Sequence, residues 1–227
     1  MESSSNLNKT ILYYTCNREN ESFESKIMSN ILTKSGGLPI VSVSQKPIKF
    51  GKNICVGDVG MSYFNEFRQI LIGAKEVKTE YIVFAEADFL YPEEYFNYNP
   101  SGDSNIYRYD NIWMVFIHRL YTRKNFSNGA QIAKRDYIVS LLESYFANQP
   151  QWADRSYKIV DGNGKPKLDY LGSEFEYFHG GVACISFRTM EGMTSKSYYK
   201  RHGGIRTLPY WGNVYDLRKE YLCHPSI

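Results

Sequence analysis

Little in this chain of 227 residues points to a membrane, a disulfide framework or an unfolded ensemble. The longest unbroken apolar run, Ile112 to Ile117, falls far short of the ~20 residues a spanning helix needs. Cysteine is scarce: Cys16, Cys55, Cys184 and Cys223 lie far apart and form no metal-type pair. Cys16 and Cys184 end or interrupt apolar runs, so both read as reduced core thiols. The start, Met1-Glu-Ser-Ser-Ser-Asn6, has neither the basic residues nor the apolar stretch of a signal peptide, and the expectation is a cytoplasmic protein. The four histidines, His118, His179, His202 and His224, show no metal-type spacing. G-x-S-x-G, the P-loop and G-x-G-x-x-G are all missing, which counts against hydrolase, NTPase and dinucleotide-binding readings. The apolar and charged fractions of 43% and 22% are those of a globular protein. Aromatic residues are abundant at 16%, with 20 Tyr and 13 Phe against 3 Trp. Tyrosine suits sugars, bases and wet interfaces, but also ordinary core edges.

The formal charge of +3 is uneven. Residues 183–227 carry seven basic residues against three acids, while the rest of the chain is close to neutral. Lys196, Lys200, Arg201 and Arg206 form a stretch without an acid, interleaved with Tyr198 and Tyr199. Such a stretch suits a phosphate-bearing partner, either as a nucleic-acid contact or as a lid over a diphosphate; a solvated surface strand is the plain alternative.

Hydrophobic periodicity organises the first 90 residues after a flexible polar tail at 1–8. Lys9–Cys16 reads as a buried strand. Phe23, Ile27, Met28, Ile31 and Leu32 recur at helical spacing up to Gly36-Gly37. Pro39–Ser44 reads as a second strand, Phe64 to Val77 as a second amphipathic helix, and Glu80–Ala85 as a third strand, apolar throughout. That order implies a parallel α/β sheet with helices on both faces. Beyond it, Pro92 to Asn105 is loop-like, and the aromatics from Tyr91 to Tyr109 either stack a ligand or pack locally. Asn111–Ile117 with Leu120-Tyr121 suggests a hairpin, Ala130 to Phe146 a helix, 148–168 a surface loop, and Val182–Phe187 a last buried strand before the basic region. The economical reading is one α/β domain over 9–227, with an elaborated C-terminal half from about residue 101.

In an open parallel sheet, ligands bind beyond the carboxyl ends of the strands. Three strand ends matter: Thr15-Cys16-Asn17-Arg18, Ser42-Val43-Ser44-Gln45-Lys46 and Glu86-Ala87-Asp88. Carboxylates at i and i+2 leave a strand on the same side, where both can face one hard divalent cation. The plain alternative is a pair of loop acids at a strand end.

With its acidic triplet ending the third strand, the chain resembles the GT-A class of nucleotide-sugar glycosyltransferases. Tyr14–Arg18, Pro39–Ser44, Phe67–Leu71, Ala85–Tyr91 and Leu208–Gly212 look like a family of small glycosyltransferases from bacteriophages and metagenomes. The similarity is good over residues 10–100 and patchy afterwards. It implies a GT-A-like, mostly parallel central sheet flanked by helices, with a nucleotide-sugar-binding half at 9–100 and an elaborated, acceptor-binding half at 101–227. It also implies a nucleotide-sugar donor, UDP-linked, and Mn²⁺ or Mg²⁺ as cofactor. Asp88 would bind the metal, with Glu86 facing the metal or the donor ribose. Thr15, Asn17 and Arg18 would lie beside the nucleotide, and Arg68 would reach the donor. The family's basic-histidine pair is replaced here by Arg188 to Thr194, so Glu191 or His202 is the candidate third metal ligand.

Lys200 and Arg201 are candidates for the donor diphosphate or for an acceptor phosphate. Glu174, Glu176 and Asp169 are candidate bases for an inverting reaction, Asp154 and Asp161 stay open beside them, and a retaining one needs no such base. The phage setting of the family implies a 5-hydroxymethylpyrimidine in DNA as acceptor, the chain then acting in the host cytoplasm. A cell-surface glycan acceptor, or a catalytically inactive binding domain of the same fold, are the alternatives.

Overall fold

The computed structural model describes residues 8–115, 120–125, 127–158, 174–189 and 204–222. The chain opens with β1 (Lys9–Thr15), α1 (Glu21–Lys34), β2 (Ile40–Ser44), β3 (Lys52–Cys55), α2 (Tyr63–Glu76) and β4 (Tyr81–Glu86). Asn20 caps α1, its side chain accepting from the backbone N–H of Ser22 and Phe23. Ser62 caps α2 in the same way, accepting from Asn65. Each cap satisfies donors that the first helical turn cannot satisfy internally. The polar residues before each apolar stripe thus fix where the helices begin. The strand at Lys52–Cys55 was not expected from the sequence. It is a half-exposed edge strand without the apolar signature of a buried one.

After β4 come β5 (Phe89–Leu90), the short α3 (Glu93–Asn97), β6 (Ile106–Tyr109), β7 (Ile112–Val115), β8 (Tyr121–Lys124), β9 (Gln131–Lys134), α4 (Arg135–Phe146), β10 (Glu176–Phe178) and β11 (Cys184–Phe187). The principal sheet runs β10-β6-β9-β4-β1-β2-β3, with β9 antiparallel to its neighbours and the other pairings parallel. It takes strands from both sides of residue 100, so the expected halves share one sheet. A second sheet, β5-β11-β7-β8, carries the hairpin expected near residues 111–121 as the antiparallel pair β7–β8. The helix expected from Ala130 starts instead at Arg135, because Gln131–Lys134 pairs with β4 and β6. Ile132 satisfies helical and strand patterns equally, and pairing decided between them.

Strand alternation divides the core. Ile11, Tyr13, Val83 and Ala85 face α1 and the second sheet. Leu12, Tyr14, Ile82 and Phe84 face α2 and α4. The aromatic residues from Tyr91 to Tyr109 pack locally: Tyr91, Tyr95, Phe96, Tyr107 and Tyr109 are fully buried. Tyr91 stacks between Phe89 and Tyr95, with ring centroids 5.6 and 5.0 Å away. The last described segment is a hairpin, β12 (Thr207–Leu208) and β13 (Gly212–Asn213), followed by α5 (Val214–Leu222). Its turn holds Tyr210 and Gly212 at φ of 70° and 69°, and Trp211 Nε1 donates to the Ala183 carbonyl at 2.7 Å.

α2 approaches the sheet tightly at Gly73. A Cβ there would lie 2.2 Å from Leu12 Cδ1 and 2.9 Å from Val43 Cγ2. In an exposed helix, Gly→Ala stabilises by up to ~1 kcal/mol. At this contact overpacking outweighs propensity, and Gly73→Ala is expected to destabilise by ~1–3 kcal/mol. Urea unfolding of the two proteins checks the sign; a more stable Gly73→Ala would mean that α2 does not press on β1 and β2.

Candidate functional site

Pairing of β1 with β4, and of β1 with β2, makes β1 the strand from which the chain crosses to both sides of the sheet. Loops diverge at the carboxyl ends of β1 and β4, and that divergence opens a crevice. A cavity of about 110 Å³ lies there, lined among others by Thr15, Cys16, Gln45, Glu66, Glu86 and Asp88. Its position follows from register. Tyr14 stands opposite Glu86 across the β1–β4 pairing, and the Tyr14 hydroxyl donates to Glu86 Oε1 at 2.9 Å. Behind Glu86, the Tyr91 hydroxyl accepts from the Glu86 backbone N–H at 2.9 Å and donates to the Gly129 carbonyl at 2.6 Å. A Cβ at Gly129 would sit 2.4 Å from the Glu86 carboxyl carbon, so a larger residue there would displace the Glu86 side chain. The aromatic cluster therefore holds the end of β4 in place.

Three half-buried carboxylates converge. Burial, then repulsion from Glu86, pushes the Asp88 carboxyl up to about 8. Burial, then Glu86 and Asp88, holds the Glu66 carboxyl well above its usual range. Glu66 comes from the first turn of α2 and was not anticipated; in the sequence it is one acid on a helix. Lys124, at the end of β8, and Arg188, just past β11, bring positive charge to the same carboxylates. Burial, then Arg188, lowers the Lys124 ammonium to about 8, against the opposing pull of Glu86, Asp88 and Glu66. Lys124 Nζ also donates to Ser127 Oγ at 2.8 Å. A basic residue ending an apolar-led strand is the weak signal that could have found it.

The residues expected beside the nucleotide play different parts. Thr15 lines the cavity, and its hydroxyl accepts from the Asn17 N–H at 2.9 Å. Asn17 adopts a left-handed backbone, φ 51°, and its Oδ1 accepts from the N–H groups of Gln45 and Lys46 at 2.9 and 2.8 Å. It ties the loop after β1 to the loop after β2. Arg18 is exposed and pairs with Asp58 at 3.1 Å. Arg68 is not brought to the crevice. Its guanidinium stacks 4.0 Å over Phe146 and donates to the Pro150 carbonyl at 2.6 Å, holding α2 against the end of α4. The base candidates Glu174 and Glu176 also stand apart. Glu176 pairs with Tyr107 on the sheet edge, three strands from β4 and level with Val83. At ~4.8 Å per strand and ~3.3 Å per residue, it lies roughly 17 Å from Glu86. The exposed Glu174 lies two residues before it. The expectations placed on Asp169, Glu191, Lys200, Arg201 and His202 fall outside the described residues.

No family model matches the chain. No curated protein matches it. Among solved structures, the inositol-1-phosphate CTP transferase from T. maritima superposes with a TM-score of 0.51 at 12% identity, covering 80% of this chain and 89% of that one. The fold is GT-A-like. S. aureus TarS 1–349 in complex with UDP-GlcNAc gives a TM-score of 0.48 at 8% identity, over 81% of this chain and 59% of that one. A glycosyltransferase involved in the glycosylation of the major capsid of PBCV-1 gives 0.37 at 12% identity, over 61% and 65% of the two chains. At these identities the likeness is one of fold, and the site rests on this chain's own residues. Among the described residues no helix is long and apolar enough to cross a membrane.

Among the described residues, no three His, Cys, Asp or Glu side chains form a closed metal-holding cluster. Glu86 and Asp88, which both line the cavity, are the acids that would hold a hard ion there, with positions left for phosphate oxygens. An acid whose folded pKa is raised above its unfolded value takes up its proton more readily in the native state. Its contribution to stability is full below the unfolded pKa and is lost as pH rises through the folded one. Asp88 therefore makes the metal-free protein less stable as pH climbs from about 4 to about 8. Asp88→Asn is expected to flatten that decline and to raise the melting temperature at pH 8. Mn²⁺ should stabilise the unaltered protein more at pH 8 than at pH 5. Melting curves across this range check both; identical pH profiles for the two proteins would remove Asp88 from the strained cluster.

Proposed function

We propose that the chain transfers a sugar from a nucleotide-sugar, UDP-linked, to a hydroxyl acceptor, with the donor lying in the crevice at the ends of β1 and β4. The observation that supports this most is the convergence of Glu66, Glu86 and Asp88 at the switch point of a GT-A-like sheet. Acids crowded against one another in a half-buried place destabilise the fold unless a proton or a cation neutralises them. Glu86 and Asp88 would hold Mn²⁺ or Mg²⁺, and the ion, when bound, supplies positive charge against the leaving diphosphate. The Tyr14 hydroxyl and the Tyr91–Gly129 arrangement keep Glu86 aimed. Asn17 keeps the two flanking loops in register. Lys124 and Arg188 offer further positive charge on the same side.

For the acceptor we propose a 5-hydroxymethylpyrimidine in DNA. The phage setting of the family that the chain resembles suggests that base, and the basic stretch supports a nucleic-acid partner: Lys196, Lys200, Arg201 and Arg206 are interleaved with Tyr198 and Tyr199, a combination of phosphate contacts and stacking surfaces. Nucleotidyl transfer is the second reading, favoured by the likeness of fold to the inositol-1-phosphate CTP transferase from T. maritima. The products separate the two: sugar transfer releases a nucleoside diphosphate, nucleotidyl transfer releases pyrophosphate.

With Mn²⁺, UDP-sugars and hydroxymethylated DNA, the protein is expected to release UDP in a DNA-dependent manner. Asp88→Ala should lower that rate by ~10²-fold or more, the size of effect seen when an electrostatic stabiliser is removed, and EDTA should do the same to the unaltered protein. Full activity of Asp88→Ala in EDTA would sink the metal assignment. Pyrophosphate release from CTP with a sugar phosphate would replace sugar transfer by the second reading.

A further inference from the structure

The crevice contains an unmet hydrogen-bonding demand away from the acids. Gln45, the first residue after β2, is 5% exposed and lines the cavity. Its backbone N–H donates to Asn17 Oδ1 at 2.9 Å. Its side-chain Nε2 donates to the Gly60 carbonyl at 2.7 Å, which fixes the two ends of the amide. The remaining atom, Oε1, is buried and accepts from no described residue. Gln69, the other amide on the cavity, has no such orphaned buried atom, and its Nε2 donates to the Thr15 carbonyl at 2.9 Å. A buried acceptor with no donor is costly, and native structures keep few of them without a reason.

Geometry says what kind of donor fits. Gln45 follows Ser44, which pairs with Thr15, and Tyr14 pairs with Glu86. The orphaned oxygen and the acids thus sit at the ends of strands two apart, roughly 10 Å across the sheet. That is about the span from the base of a nucleotide to its diphosphate. The cavity, about 110 Å³, suits a single ring better than a fused pair. Cys16 and Met61 give it less polar walls. The neighbouring Gly60 N–H is already used, donating to Asp58 Oδ1 at 3.3 Å.

We propose that Gln45 Oε1 reads the base of the donor nucleotide, accepting the N–H on the hydrogen-bonding edge of a pyrimidine. The donor is the ring N3–H of uracil or the exocyclic amino group of cytosine. Both present an N–H to the same acceptor. The inference rests on the reading of this crevice as the nucleotide site, and it adds the residue that sets base specificity.

Calorimetric binding to the full chain with Mn²⁺ tests it. The ligands are UDP, N3-methyl-UDP, CDP and N4,N4-dimethyl-CDP, with the unaltered protein, Gln45→Leu and Gln45→Glu. The unaltered protein is expected to bind UDP or CDP at least ~10-fold more tightly than its methylated partner, because a site built around an N–H rejects the analogue lacking it. Which pair shows the ratio identifies the base. In Gln45→Leu the ratio should collapse towards one. In Gln45→Glu, which keeps an acceptor, the preference for the N–H form should persist. Should Gln45→Leu fail to fold, the ratio in the unaltered protein and in Gln45→Glu still decides. Equal binding of methylated and unmethylated nucleotides by the unaltered protein overturns the inference while leaving the nucleotide site intact. So does a ratio that survives Gln45→Leu. Failure of every nucleoside diphosphate to bind overturns the donor site itself, and the inference with it.

Discussion

The parallel pairing of β1 with β4 is the constraint on which the rest of the site depends. One register sets Tyr14 opposite Glu86 and brings the end of β4 to the loop after β1. A slip of one residue would turn Glu86 to the other face of the sheet, away from Glu66 and Tyr14. Hydrophobic alternation makes that slip costly. Leu12, Tyr14, Ile82 and Phe84 all belong to the core beneath α2, and Ile11, Tyr13, Val83 and Ala85 to the core beneath α1. The packing that makes the sheet therefore also crowds the carboxylates. Their mutual repulsion is the consequence of a register chosen by apolar burial.

Around this constraint the two sheets divide the labour. The principal sheet presents strand ends, and the loops after β1 and β2 are joined there through Asn17. The second sheet brings Lys124 and Arg188 to the same carboxylates, so the elaborated half supplies part of the crevice's charge. The aromatic richness of the chain has its main use inside. Tyr91 and Tyr95 stack in the core and spend their hydroxyls on backbone at β4 and β9, stiffening the strand that carries Glu86.

Much of this was legible in the sequence. The buried strands β1, β2 and β4 and the helices α1 and α2 declare themselves by period, and Glu86 and Asp88 stand out as acids leaving an apolar strand. The edge strand β3 escaped because a half-exposed Lys-Asn-Ile-Cys run has no such period. Strand β9 reads as the start of α4 because four residues cannot separate the two periods. Glu66, Lys124 and Arg188 escaped for a different reason: each is one charge on its own element, and only the tertiary fold brings them to Glu86 and Asp88. Arg68 and Glu176 show the converse. Their residue types suit the chemistry, but helix packing and strand pairing place them elsewhere.

The central claim is that a nucleotide and a divalent cation meet at the ends of β1 and β4. Paramagnetic broadening of amide signals by Mn²⁺ in the presence of UDP tests it most directly, because it reports position rather than activity. The account expects selective broadening of the amides of Glu86, Ala87 and Asp88, together with Thr15, Cys16 and Glu66, and little effect at the sheet edge around Glu176. Broadening centred elsewhere, or none at saturating UDP and Mn²⁺, would contradict it.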